Sequence, residues 1–199
     1  RRGLRGPACG SERTDGHGRV GSVPRALSFV ALTLAVAAGY ASAGQRPART
    51  PDIFFAPTRQ TVVDAMLRLA RVTSDDVVYD LGSGDGRIVV IAAQKFGARG
   101  VGIELDPKLV ALSRELAVAS EVGDRVTFVE TDMFTADLSP ATVVTLYLSE
   151  SLNLDLEPKL RHELRKGSRI VSHQFRMGRW QPEETRVVEG EEIFLWRVP

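Results

Sequence analysis

Val77-Val78-Tyr79-Asp80-Leu81-Gly82-Ser83-Gly84-Asp85-Gly86-Arg87 reads as a buried strand that ends in an acid, turns on glycines and opens a helix. Glycine at three alternate positions lets the chain turn tightly with no Cβ in the way, so a ligand can lie directly against the main chain. The helix that follows brings its N-terminal amides and the positive end of its dipole to the same place. Asp80 stands two residues ahead of the first glycine, where a dinucleotide turn would bring a pyrophosphate. A carboxylate there repels phosphate and favours a cationic or amine-bearing ligand.

Working outward, the same alternation repeats. Thr58 is placed to cap a helix running to about Ala70, with Val62, Val63, Met66, Leu67 and Ala70 on one face. The helix from Arg87 to Phe96 meets a stop at Gly97. Arg99 to Glu104 is a second strand, followed by Asp106-Pro107 as the start of a helix with Leu109, Leu112, Leu116 and Ala119 as its buried stripe and Gly123 as its stop. Val126 to Glu130 is a third strand, and Thr142 to Leu148 a fourth, continuously apolar as a doubly covered strand should be. Pro158 to Lys166 is predicted helical, Arg169 to Ser172 a fifth strand, and Arg186 to Val188 with Ile193 to Val198 a closing hairpin. Strands alternating with helices in this way predict an α/β fold, a doubly wound, mostly parallel sheet with a C-terminal antiparallel hairpin. Ligands in such sheets sit at the carboxyl ends of the strands. Asp80, Glu104 and Asp132 all fall at strand ends, so three acids share one rim.

Charge divides the chain. Residues 1–50 hold eight arginines against two acids, while 51–199 hold 18 basic and 23 acidic residues, a net charge of −5. The body therefore offers no electrostatic case for gripping nucleic acid. Cys9 is the only cysteine and lies in the basic leader, which excludes disulfides, cysteine-ligated zinc and a thiol nucleophile from the body; no metal site is expected. Residues 1–22, rich in Gly and Arg, are expected to be disordered. The sequence does not begin with Met, and a start codon read here as Val20 or Val23 is one explanation. Residues 23–44 form a signal-peptide-like or membrane-anchor segment: a basic flank at Arg25, an apolar run from Ala26, and Ala41-Ser42-Ala43 as a cleavage site. Residues 45–51 are a linker, leaving 52–199 as the domain. The leader points to the cell envelope, with membrane association through 26–43; a start placed after it would leave the protein cytoplasmic.

The order Asp-x-Gly-x-Gly-x-Gly, then Glu at the end of the next strand and Asp at the end of the third, resembles class I S-adenosylmethionine-dependent methyltransferases. A narrower likeness lies in Phe55-Ala56-Pro57-Thr58, Val62-Val63-x-x-Met66-Leu67-x-Leu69-Ala70 and Gly100-Val101-Gly102-Ile103-Glu104. These resemble a bacterial branch of a lysine methyltransferase family whose mitochondrial members act on the c-ring protein of ATP synthase and the adenine nucleotide carrier. The resemblance implies S-adenosylmethionine as cofactor, with Asp80 at its amino group and Gly82, Ser83, Gly84 and Gly86 as the close-approach turn. Glu104 would take the ribose hydroxyls, Asp132 the adenine amine, and Leu105 or Met133 the ring face, with Thr58 closing over the cofactor. Asp132 by itself also reads as a turn cap.

One expected device is absent. Many amine and nucleobase methyltransferases carry Asn/Asp-Pro-Pro-aromatic after the fourth strand, and this chain has Leu146-Tyr147-Leu148-Ser149-Glu150. Tyr147, Glu150 and His173 are the candidates for a proton-handling group, none assigned. The resemblance implies N-methylation of protein lysine, with a membrane protein among the expected substrates. A small-molecule or lipid-like acceptor stays open, as does a cofactor-binding module without turnover.

Overall fold

The computed structural model describes residues 56–199; the leader, the apolar run and the linker lie outside the described residues. The strands are β1 (Val77–Leu81), β2 (Arg99–Glu104), β3 (Val126–Glu130), β4 (Val143–Leu146), β5 (Arg169–His173), β6 (Glu184–Val188) and β7 (Glu191–Arg197). The helices are α1 (Gln60–Leu69), α2 (Arg87–Phe96), α3 (Pro107–Ala119) and α4 (Glu150–Glu163). They build one sheet in the order β3-β2-β1-β4-β5-β7-β6. The first five strands are parallel, and β7 runs antiparallel between β5 and β6.

Side-chain alternation along the strands sorts the core onto two faces. Val78, Val143, Val171 and Ile193 pack with α1, α2 and Val110 and Ala117 of α3. Tyr79, Leu81, Val144, Leu146, Ile170, Phe194 and Trp196 face the other way, against Leu152, Leu156 and Leu160 of α4. The doubly wound arrangement read from the sequence is the one observed. The closing hairpin turns on Glu189 (φ 53°) and Gly190 (φ 84°), the two left-handed residues that a two-residue turn of matching twist requires.

Four local expectations fail, each for a physical reason. Thr58 does not cap α1: Arg59 occupies that position with no side-chain hydrogen bond, and Thr58 is buried one residue earlier. Pro158 lies inside α4 rather than at its start. Ser149 starts that helix by accepting from the Leu152 amide, and burial of Leu152, Leu156 and Leu160 outweighs the donor that proline lacks. α3 ends at Ala119 with Glu121, not Gly123, in the left-handed region. Its buried residues are Val110, Ser113 and Ala117, one step round from the expected stripe, and Leu112 is 47% exposed. Leu112→Lys is therefore expected to move stability by less than about 0.5 kcal/mol. A loss above about 2 kcal/mol on thermal melting would return Leu112 to the core.

Candidate functional site

A cleft of about 290 Å³ opens at the carboxyl ends of β1, β2 and β4. Thr58, Asp80, Gly82, Ser83, Gly84, Glu104, Leu105, Asp132 and Met133, all named from the sequence, line it together. Gly86 does not line the cleft. A Cβ there would stand 2.5 Å from the Phe128 ring, so this glycine, at φ 79°, serves the packing of α2 against β3. Gly82, at φ 74°, does face the cleft, and a Cβ on it would meet Leu148 at 2.8 Å.

Asp80 is 3% exposed, and its Oδ1 accepts from the Thr145 hydroxyl at 2.7 Å. Burial, with the like charges of Glu104 and Asp85, pushes its carboxyl up to about 7 against the pull of that hydrogen bond. A cation brought beside it would restore the ionised form. Glu104 is tied to the turn by its own oxygens: Oε2 accepts from the Gly84 amide at 2.8 Å, Oε1 from the Leu105 and Asp106 amides at 2.8 and 3.0 Å. The Gly82 and Ser83 amides both donate to the Ile103 carbonyl, at 2.9 Å each. The turn thus satisfies these amides internally, and its own backbone supplies a shaped surface more than a set of donors. Asp132 is a turn cap that also reaches the cleft: its Oδ1 accepts from the Phe134 amide at 2.9 Å.

Of the three proton-handling candidates, only Tyr147 reaches the cleft. Glu150 is exposed in the first turn of α4 and lies off the cleft. His173 is buried behind Tyr147, their ring centroids 4.1 Å apart. The resemblance placed Thr58 over the cofactor, but the ties that hold this strap were not legible in the sequence. Ala56, Pro57 and Thr58 lie along one wall of the cleft. The Thr58 carbonyl accepts from Arg87 Nη1 at 3.0 Å, and Arg87 Nε in turn donates to Asp85 at 2.9 Å. Arg59 pairs with Glu189 and Glu191 of the closing hairpin at 2.8 and 3.0 Å. Half-exposed pairs of this kind contribute at most about 1 kcal/mol each. No local pattern announces such partners, which are more than a hundred residues apart.

Comparison with known proteins gives this geometry its setting. The model of the ANTKMT methyltransferase domain matches residues 80–184, from the acid of the glycine turn to the start of β6. The chain belongs to that methyltransferase family. The protein-lysine N-methyltransferase of Saccharolobus islandicus is 41% identical over 140 residues, covering 70% of this chain and 87% of that one. The adenine nucleotide translocase lysine N-methyltransferase of Mus musculus is 40% identical over 121 residues, and the match spans 60% of this chain and 52% of that one. The crystal structure of an RNA methyltransferase from Salinibacter ruber, in complex with S-adenosylhomocysteine, superposes with a TM-score of 0.72 at 53% identity, covering 72% of this chain and 94% of that one.

The chain is an S-adenosylmethionine-dependent methyltransferase, and its cleft fits that cofactor. Among the described residues no cation pairs with the buried Asp80 carboxyl, and the cofactor's amino group would provide one. The Gly82 turn leaves room that a side chain would fill, and Leu105, Leu109 and Met133 give apolar cover for a base. When bound, the cofactor supplies a methyl group already activated on a sulfonium. Asp80 would hold its amino group, Glu104 its ribose and Asp132 its adenine, leaving the residues to orient an acceptor and dispose of its proton.

Proposed function

We propose that the enzyme N-methylates lysine side chains of protein. The observation that carries this reading is the match to the Saccharolobus enzyme, because it spans 87% of that protein and so takes in the acceptor side as well as the cofactor turn. The Salinibacter enzyme's description as an RNA methyltransferase favours a second acceptor class. The charge of residues 51–199, 18 basic against 23 acidic, speaks against it, since a phosphate backbone asks for a basic face. Catalysis without the Asn/Asp-Pro-Pro motif is physically reasonable for an amine. A neutral amine held about 3 Å from a sulfonium methyl, in line with the breaking bond, needs mainly positioning. The apolar run 26–43 supports a place at the cell envelope and a membrane-protein substrate.

The test is to incubate the purified protein and labelled S-adenosylmethionine with soluble and membrane fractions of a whole-cell extract, each treated in parallel with ribonuclease or protease. Label is expected in protease-sensitive, ribonuclease-resistant material, as methylated lysine after hydrolysis, and enriched in the membrane fraction. Ribonuclease-sensitive label would move the acceptor to RNA, and solvent-extractable label to a small or lipid-like molecule. Cofactor binding with no transfer would leave a binding module.

A further inference from the structure

The strand order sets the functional groups in a line. Asp132 follows β3, Glu104 ends β2, Asp80 lies in β1, Tyr147 follows β4 and His173 ends β5. Neighbouring strands lie about 4.8 Å apart, so these five positions span roughly 20 Å of rim. With the nucleoside end of the cofactor on β3 and β2 and its amino end on β1, the acceptor is left the β4 and β5 end.

Tyr147 lines that end, and behind it lies a connected set of polar side chains. His173 is 2% exposed. Its Nδ1 is 3.4 Å from Oγ1 of Thr58, which lines the cleft, and its Nε2 is 2.7 Å from Oε2 of Glu191, whose side chain is 25% exposed. The set thus runs from the cleft wall to solvent. Methyl transfer to an amine needs such a way out. An ammonium must lose a proton before its lone pair can attack. The N–C bond then forms as the S–C bond breaks, and that electron pair stays on sulfur.

We propose that Thr58, His173 and Glu191 carry this proton out of the cleft. The Thr58 hydroxyl takes the proton from the acceptor amine as it passes its own to His173 Nδ1. His173 gives its Nε2 proton to Glu191, which releases it to water. Thr58 is the member that touches the substrate; His173 and Glu191 act through it. The proposal rests on the reading of an amine acceptor.

The charged and titratable groups around His173 suit the task. Glu191 faces it from β7 and Tyr147 from just after β4, while Thr58 and Arg59 face it from the segment before α1. Burial lowers the pKa of His173, the contact with Glu191 opposes this, and the Arg59 charge lowers it further, so the ring is neutral and able to accept near pH 7. Burial tends to raise Glu191, but His173 and Arg59 outweigh it and hold the carboxyl below its ordinary value, so it stays ionised to accept the Nε2–H and readily releases a transferred proton to water. A long Thr58–His173 contact is usual before the acceptor arrives, since such hydrogen bonds tighten in the reacting complex.

The test begins on the ligand-free protein. Nitrogen-15 NMR of the His173 ring should show Nε2 protonated and Nδ1 bare at pH 7.5; a protonated Nδ1 would overturn the direction of transfer. His173→Gln keeps a hydrogen-bonding side chain that cannot relay. With the extract protein labelled above as acceptor, kcat at pH 7 should fall about a hundredfold, the range of general base catalysis. The loss should shrink toward pH 10, where a lysine amine sheds its proton unaided. S-adenosylhomocysteine affinity should stay within about twofold, because His173 does not line the cleft. A constant factor across pH, or a loss confined to KM, would sink the relay. If His173→Gln fails to fold, Thr58→Val beside Thr58→Ser carries the same test, the serine retaining the pH profile and the valine losing it. Wild-type protein that labels no protein at all would instead refute the protein-lysine reading on which the relay rests, before any variant is made.

Discussion

Asp80→Asn is expected to raise the melting temperature of the ligand-free protein at pH 8 while weakening S-adenosylhomocysteine binding about a hundredfold, as loss of one partner of a buried charge pair does. The two effects share one cause. Burial beside Glu104 and Asp85 pushes the Asp80 carboxyl up to about 7, from an unfolded value near 4. A group raised in this way favours the folded state fully below about pH 4, and that contribution is lost as pH rises through about 7. Three pKa units correspond to a cost on the order of 4 kcal/mol at pH 8, which asparagine removes while keeping an oxygen for the Thr145 hydroxyl. At about 3 °C per kcal/mol for a domain of this size, the gain is roughly 10 °C. At pH 4 the two proteins should melt alike. Binding follows the same titration: the cofactor's amino group favours ionised Asp80, so wild-type affinity should rise up to pH 7 and level off, and the variant should be flat. Equal pH profiles measured by calorimetry for the two proteins would remove Asp80 from the amino-group site. That pair of results would mark Asp80 as a residue kept at a cost to stability for the sake of the ligand.

The second large effect lies at the other end of the sheet. Asp76→Ala is expected to cost about 3 kcal/mol, near 10 °C in melting temperature, with S-adenosylhomocysteine affinity unchanged. Asp76 is buried just before β1. Its Oδ2 accepts from the Thr73 amide at 2.8 Å, and its Oδ1 from the Thr142 hydroxyl at 2.7 Å and from Arg169. Arg169 also donates to the Ala70 carbonyl at 2.9 Å, so one carboxylate joins the end of α1 to the starts of β1, β4 and β5. Alanine would leave a part-buried guanidinium without its counter-charge. Burial pushes the Asp76 carboxyl up, but Thr142, Thr73 and Arg169 outweigh it and hold it below the usual range. Its contribution is therefore present above about pH 4 and lost as pH falls through the depressed value. The deficit of the variant should accordingly close in strong acid. A cost under about 1 kcal/mol at pH 7 would show the network to be incidental.

The parts of this molecule legible in the sequence are those decided by local pattern. α2 and β2 were bounded correctly because Gly97 and the acids at the strand ends punctuate them. The rim acids were legible for the same reason, since a strand end fixes where a side chain emerges. What escaped reading depends on contacts between distant residues. Pro158 looked like a beginning because nothing nearby shows that Leu152 and Leu156 are already buried in the same helix. The stripe of α3 was misplaced because small Ser113 and Ala117, not the leucines, let it approach the sheet. Gly86 shares its spacing with the cleft glycines and differs from them through Phe128 and Ser113, both distant in sequence. The polar set behind Tyr147 joins three separate stretches of chain, so Thr58 and His173 are legible one by one, while their connection and Glu191 are not.

The strap along the cleft has a consequence for the order in which the molecule becomes useful during synthesis. Asp80, Glu104 and Asp132 are all present in the chain once β3 and the turn after it are made. Arg59 then has to wait for Glu189 and Glu191, some sixty residues later, and β7 can pair only after β5 is in place. The rim's acids are thus laid down well before the strap can be fastened, which happens only when the final hairpin has folded back.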